Sequence, residues 1–163
     1  MTTLRIGIAG LGVASTQMLP PMEAFPGVQL TAAADLRPEA LQAFEERYGG
    51  RGYQSVEELA SDPNVDAIWV STPNQFHCEH VVTCAEHGKH AVVEKPMALS
   101  IAECERMVEA VERNRVKLLC GHTQSFNPAI RMMRDIVQSG ELGKLATIHT
   151  WMATDWMLRP RMP

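Results

Sequence analysis

Short, almost wholly apolar runs alternate along this chain with longer stretches whose apolar positions recur at helical spacing. Leu4–Gly10 (LRIGIAG) is a run that ends in glycine, and Val28–Asp35 (VQLTAAAD), Asp66–Thr72 (DAIWVST), His90–Glu94 (HAVVE) and Lys117–Gly121 (KLLCG) share its form. Near-continuous runs without strict polar alternation predict strands covered on both faces of a sheet. Pro38–Tyr48 begins with proline in its first turn and stops at Gly49-Gly50, which predicts a helix. His77–His87 stops at Gly88. Ser100–Arg115 opens with Ser100 and Glu103, a capping box, and gathers Ile101, Cys104, Met107, Val108 and Val111 on one face. Asn127–Ser139 ends before Gly140, and its Ile130, Met133, Ile136 and Val137 are expected to face inward. Strands alternating with helices at this spacing predict right-handed βαβ units. The fold class is α/β, a Rossmann-like doubly wound parallel sheet.

Composition narrows the class of function. The 163 residues are 45% apolar and 21% charged, enough for one domain with a little left over. No run approaches the roughly 18 apolar residues of a membrane span. The start, Met1-Thr2-Thr3, lacks the basic and apolar regions of a secretory signal. A net charge of −4 with no basic stripe argues against nucleic-acid binding. Cys78, Cys84, Cys104 and Cys120 form no CxxC pair, and free thiols suit a reducing cytoplasm.

Candidate chemistry begins at the first turn, Gly10-Leu11-Gly12-Val13-Ala14-Ser15. Gly10 permits a tight turn, and Gly12 lets a pyrophosphate approach the backbone. Val13 and Ala14 then open a helix whose free N–H groups face that anion. Ser15 stands where the fingerprint prefers Gly or Ala, and it is still small. Asp35 ends the second strand 23 residues after Gly12, close to the separation of about 20 expected for a ribose-binding carboxylate. Asp35 and Leu36 would meet the adenosine ribose, and Asp35 would repel a 2′-phosphate. Arg37 could soften that repulsion, so NAD is favoured over NADP. Pro20-Pro21 interrupts the helix after the glycine turn, which is therefore expected to be short or kinked.

Several spaced motifs carry a resemblance. Gly7-Ile8-Ala9-Gly10-Leu11-Gly12, Ser71-Thr72-Pro73-Asn74 with His77, Gly88-Lys89-His90 leading to Glu94-Lys95-Pro96, Gln124–Ala129 and Ser139–Gly143 follow one another in order. In them the chain resembles the glucose–fructose oxidoreductase/inositol dehydrogenase (Gfo/Idh/MocA) family from Leu4 to about Thr150. The resemblance implies a hydride transfer between a nicotinamide cofactor and a secondary alcohol of a sugar, cyclitol or cis-dihydrodiol. Lys95 is then the catalytic residue, near the nicotinamide, where a cation stabilises a developing alkoxide and joins a proton relay. Thr72, Pro73, Asn74, His77 and Glu94 join the cofactor-binding set, and His122 lies near the nicotinamide edge as a substrate candidate. A cis Lys95-Pro96 bond is possible. His77, His80, Cys84 and His87 share a helix face that zinc could use, but no metal is assigned.

Two domains are expected, a cofactor domain over 1–122 and, over 123–163, a connecting helix and the first strand of a substrate and homo-oligomer domain. Leu145–Thr154 is that strand, the truncated start of a second α/β domain. The family's Asp-xxx-His motif belongs there, and none follows residue 150. Arg159 and Arg161 could bind a carboxylated substrate. With Asp155-Trp156 they resemble the branch that oxidises phthalate cis-dihydrodiols. The partner class is a small molecule. A non-enzymatic, NAD-responsive regulator on the same fold is the alternative.

Overall fold

The computed structural model describes residues 3–151. The chain divides into two compact units, Met1–His122 and Thr123–Pro163. The first holds strands β1 (Leu4–Ala9), β2 (Val28–Ala34), β3 (Arg51–Tyr53), β4 (Ala67–Val70), β5 (His90–Val93) and β6 (Leu118–Cys120). All pair in parallel, in the order β3-β2-β1-β4-β5-β6. The chain winds outward from β1 to β3, then returns to the other side of β1 for β4. That reversal makes a switch point between β1 and β4, where such sheets bind ligands beyond the strand carboxyl ends.

Helices α1 (Val13–Glu23), α2 (Pro38–Tyr48), α3 (Val56–Ser61), α4 (His77–Glu86) and α5 (Ile101–Arg113) cover both faces. On one face Ile6, Ile8, Leu30 and Ala33 pack with Leu19, Leu41 and Phe44 from α1 and α2. On the other, Ala9, Ala32, Ile68 and Val70 pack with Leu59, Val81, Cys84 and Met107 from α3, α4 and α5. Burial on two sides explains why the strands read as unbroken apolar runs. Each fully buried Ile or Leu contributes about 1.5–3 kcal/mol.

Two elements had no signature of their own in the periodicity. β3 is three residues, Arg-Gly-Tyr, and α3 is six. Both are too short for a period, although the α3 cap is present in sequence. Ser55 Oγ accepts from the Glu58 N–H at 3.1 Å, and Glu58 Oε2 accepts from the Gln54 N–H at 3.1 Å. The expectation for α1 is corrected. It runs through Pro20 and Pro21 to Glu23, 11 residues in all. Each proline lacks the N–H that would bond the carbonyl four residues back, so α1 forgoes the bonds to Thr16 O and Gln17 O in its closing turns.

The second unit contains a 3-10 turn, Thr123–Phe126, and α6 (Pro128–Ser139). Asn127 Oδ1 caps α6 by accepting from the Ala129 N–H at 3.0 Å, and Gly140 ends it in the left-handed region. The face expected to point inward is exposed: Ile130, Met133, Ile136 and Val137 show 39–52% of their surface. The strand expected over Leu145–Thr154 does not form across residues 145–151, and 152–154 lie outside the described residues. A strand needs a neighbour for its N–H and C=O groups, and among the described residues no strand pairs with this segment.

Candidate functional site

Gly10 turns the chain at the end of β1 with φ of +92°, and a Cβ there would stand 2.9 Å from the Ser71 carbonyl oxygen. Only glycine suits both the dihedral and the space. The turn is tied on both sides. Gly10 N–H donates to Ala34 O at 2.8 Å, and Ser71 Oγ donates to Gly10 O at 2.7 Å. Ser71, which the sequence placed in a motif without giving it a role, thus links the first turn to the end of β4.

Gly12 differs, with an ordinary φ of −85° and nothing within 4 Å of where a Cβ would stand. It fronts open space before α1. Among the described α-helices, α1 alone has neither a side-chain cap nor an acidic residue in its first turn. Ser55, Ser100 and Asn127 cap α3, α5 and α6, while α2 and α4 carry Glu39 and Glu79. The positive end of α1, at Val13 and Ala14, is therefore left for an external anion. Ser15 is buried, and its Oγ donates to Gly12 O at 2.7 Å, so the third fingerprint position keeps its close packing. These features fit a dinucleotide pyrophosphate.

Asp35 follows β2, with its side chain 10% exposed. Its Oδ2 accepts from the Leu11 N–H at 2.8 Å and from Arg37 Nη2 at 3.0 Å. Its Oδ1 accepts from the Arg37 N–H and Nε, each at 2.9 Å. Four donors fill the carboxylate. Burial works to raise the Asp35 carboxyl, but the bonds and charge from Arg37 and Leu11 outweigh it and hold it below the usual range. Ribose hydroxyls reach Asp35 only if one of these donors gives way. Leu36 beside it is 88% exposed.

Beyond β4, Thr72 and Pro73 lead into a 3-10 turn, Asn74–Phe76. Thr72 is held twice from α4: its carbonyl lies 2.8 Å from His77 Nε2 and its Oγ1 lies 2.9 Å from His80 Nδ1. Burial disfavours the charged form of His80. His77 is completely buried, and its Nδ1 lies 2.9 Å from Pro96 O. Its expected place among cofactor-contacting residues is corrected, because no surface and no free ring nitrogen remain for a ligand. Of the other residues on that helix face, Cys84 is buried and its thiol pushed up to about 12 by burial, while His87 pairs with Glu57 at 3.1 Å.

Glu94 N–H donates to Val70 O at 2.9 Å, and Glu94 Oε2 accepts from the Lys95 N–H at 3.2 Å. The Lys95-Pro96 bond is cis. Lys95 is exposed, and among the described residues no side-chain bond or ion pair engages its Nζ. Gly121 N–H donates to Val93 O at 2.8 Å, which brings His122 beside the end of β5. The glycine turn, Asp35, Thr72-Pro73-Asn74, Glu94-Lys95 and His122 therefore line one carboxyl edge of the sheet. Arg159 and Arg161 lie outside the described residues.

An anion-ready glycine turn at the switch point of a doubly wound sheet defines a dinucleotide-binding protein. Comparison with known proteins agrees. The profile of the oxidoreductase family with an NAD-binding Rossmann fold matches residues 4–122, so the chain belongs to the Gfo/Idh/MocA oxidoreductase family. It is 36% identical over 159 residues to a 1-carboxy-3-chloro-3,4-dihydroxycyclohexa-1,5-diene dehydrogenase of Comamonas testosteroni, covering 97% of this chain and 40% of that protein. It is 33% identical over 142 residues to myo-inositol 2-dehydrogenase of Thermotoga maritima, covering 86% of this chain and 42% of that one. Among solved structures, WlbA dehydrogenase of Bordetella pertussis, in complex with NADH and UDP-GlcNAcA, superposes with a TM-score of 0.83 at 28% identity, over 88% of this chain and 42% of that one. The chain spans about two fifths of the length of these relatives. Its cofactor is NAD.

Proposed function

We propose that this chain is the cofactor-binding part of a dehydrogenase that moves hydride between NAD and a secondary alcohol of a cyclitol, sugar or cis-dihydrodiol. The observation that carries the reading is the uncapped N-terminus of α1 behind Gly12, at the switch point between β1 and β4. Gly10 shapes the turn, and Gly12, Val13 and Ala14 bind the pyrophosphate through backbone N–H groups. Asp35, Leu36 and Arg37 receive the adenosine ribose. Thr72, Pro73 and Asn74 line the nicotinamide half with Glu94 and Lys95. Bound NAD supplies the hydride acceptor. Lys95 Nζ, exposed and unengaged among the described residues, stabilises the alkoxide and passes its proton on. His122, at the same edge, and Arg159 and Arg161 contact the substrate.

The relatives named above are by name dehydrogenases of an inositol and of a carboxylated dihydrodiol, which supports this substrate class. Residues 1–122 form the cofactor domain and residues 123–163 begin a substrate domain through which the enzyme forms homo-oligomers. No described helix is long and apolar enough to cross a membrane. The four cysteines are unpaired, as suits the cytoplasm. Calorimetric titration of the chain with NAD tests the cofactor half of this reading. Saturable binding that Gly12→Val abolishes without unfolding supports it, and absence of binding by the folded chain refutes it. Turnover of a panel of cyclitols and dihydrodiols by the full-length enzyme tests the substrate half. Binding without turnover would favour an NAD-responsive regulator.

A further inference from the structure

The peptide plane between Gly10 and Leu11 is held at both ends, from two different strands. Gly10 O accepts from Ser71 Oγ at 2.7 Å, just past the end of β4. The Leu11 N–H, in the same plane, donates to Asp35 Oδ2 at 2.8 Å, just past the end of β2. β2 and β4 flank β1 in the sheet, so the plane is gripped from opposite sides of the strand that leads into it. The grip has a mechanical purpose. Gly10 sits at a φ of +92° and has no Cβ to restrain the bonds beside the plane. Left alone, the plane could turn about those bonds. The N–H groups of Gly12, Val13 and Ala14 follow directly, have no hydrogen-bond partner among the described residues, and keep their aim only if the plane stays put.

The Ser71 hydroxyl is free for this task. Pairing of β1 with β4 does not need it, because the Ser71 backbone N–H already donates to Ala9 O at 2.8 Å. The hydroxyl also lies 3.2 Å from that same Ala9 O, but its single proton serves the nearer Gly10 O. Among the described residues, no other group donates to Gly10 O. Without the hydroxyl, that end of the plane has no donor from the protein.

We propose that Ser71 is a positioning residue for the pyrophosphate: its hydroxyl fixes the Gly10–Leu11 peptide and so aims the Gly12, Val13 and Ala14 N–H groups at the phosphates. This rests on the NAD reading above. Ser71→Ala keeps the backbone bond to Ala9 and removes only the hold on Gly10 O. In calorimetric titrations it should weaken NAD and ADP by the same factor of about five, the size of one neutral hydrogen bond. Ser71→Thr, which restores the hydroxyl, should bind both within about twofold of the wild type. ADP carries the pyrophosphate but not the nicotinamide half. A loss confined to NAD would therefore trace to the Thr72-Pro73-Asn74 turn and overturn the proposal. Unchanged binding of both ligands in Ser71→Ala, or an equal loss in Ser71→Thr, overturns it too.

Amide NMR of the isotope-labelled wild-type chain, titrated with inorganic pyrophosphate, reads the turn without a variant. The Gly12, Val13 and Ala14 amides should shift, and the Leu11 amide, held by Asp35, should shift least. A Leu11 amide that moves with the others, or Gly12–Ala14 amides that stay still, overturns the proposal. If the folded wild-type chain does not bind NAD, the cofactor reading fails and the role of Ser71 falls with it. If it binds NAD and Ser71→Ala binds as well, the role of Ser71 fails alone.

Discussion

Arg37 closes over Asp35. Its Nε and backbone N–H sit 2.9 Å from Oδ1, and its Nη2 bridges Oδ2 and Leu11 O at 3.0 Å each. The carboxylate that ends β2 is therefore filled from within the chain. With Arg37 about half exposed, the group met first at the ribose is the edge of a guanidinium. A cation there tolerates a 2′-phosphate better than a bare carboxylate does.

Arg37→Ala should consequently separate the two nucleotides. NAD is expected to bind as well as before or better, since Asp35 regains free acceptors. NADP should weaken about tenfold or more, the loss of one charge-assisted contact of about 1.5–3 kcal/mol. Asp35→Ala is expected to weaken NAD more than NADP. Parallel calorimetric titrations check this, and an equal change for both nucleotides in each variant removes the pair from the ribose subsite.

Gly10 and Gly12 should respond oppositely to the same small change. Gly10→Ala forces a Cβ against Ser71 O at a φ of +92°. It is expected to destabilise the fold by about 1–3 kcal/mol and to lower Tm. Gly12→Ala meets nothing within 4 Å, so its cost to folding should stay at or below about 1 kcal/mol. NAD binding should nevertheless drop, because the methyl occupies the space left for the pyrophosphate. Thermal melts read against NAD titrations show whether stability and binding separate in this way.

Most of the fold was legible because each face-covered strand is an apolar run and most helices carry their own stops and caps. Pro38, Gly49, Ser100, Asn127 and Gly140 all stand at helix boundaries. β3 and α3 were not legible, since three and six residues hold no period. The inward face assigned to α6 failed for a different reason: its apolar spacing says that a face exists, not what covers it. At the site, residue types and spacing singled out Gly10, Gly12 and Asp35, and the family resemblance singled out Lys95. They could not show that Arg37 folds back on Asp35, that Ser71 locks the glycine turn, or that His77 is buried between two carbonyls. Those facts depend on which strand ends become neighbours, and β1 meets β4 across about 60 residues of chain.

Lys95 is the side chain at this edge with the chemistry of a proton donor and a cation together. Lys95→Met in the full-length enzyme should lower kcat by about 10²–10⁴-fold, the usual contribution of a positioned acid or base. NAD affinity of the chain should change by less than about tenfold, because the pyrophosphate contacts come from the backbone of the glycine turn. Steady-state rates on an inositol or a dihydrodiol, paired with NAD titrations, separate the two. Unchanged turnover would take Lys95 out of the reaction.

Acid stability should be governed in part by a pair far from the site. Arg5 Nη2 and Nε bond the two oxygens of Asp66, which also accepts the Arg5 backbone N–H at 2.9 Å, so β1 and the start of β4 are joined by one carboxylate. The hydrogen bond from Arg5, against a burial cost, lowers the Asp66 carboxyl from 3.8 to about 2. Because the folded value lies below the unfolded one, the contribution is fully present above about pH 4 and is lost as pH falls toward about 2. Both side chains are about one third exposed, so solvent screening keeps the contribution of the pair small. Asp66→Asn should therefore lower stability slightly at pH 7 and by progressively less below pH 4. Denaturant melts of both proteins across pH 2–7 check it, and a gap between them that does not narrow in acid would separate Asp66 from the acid response.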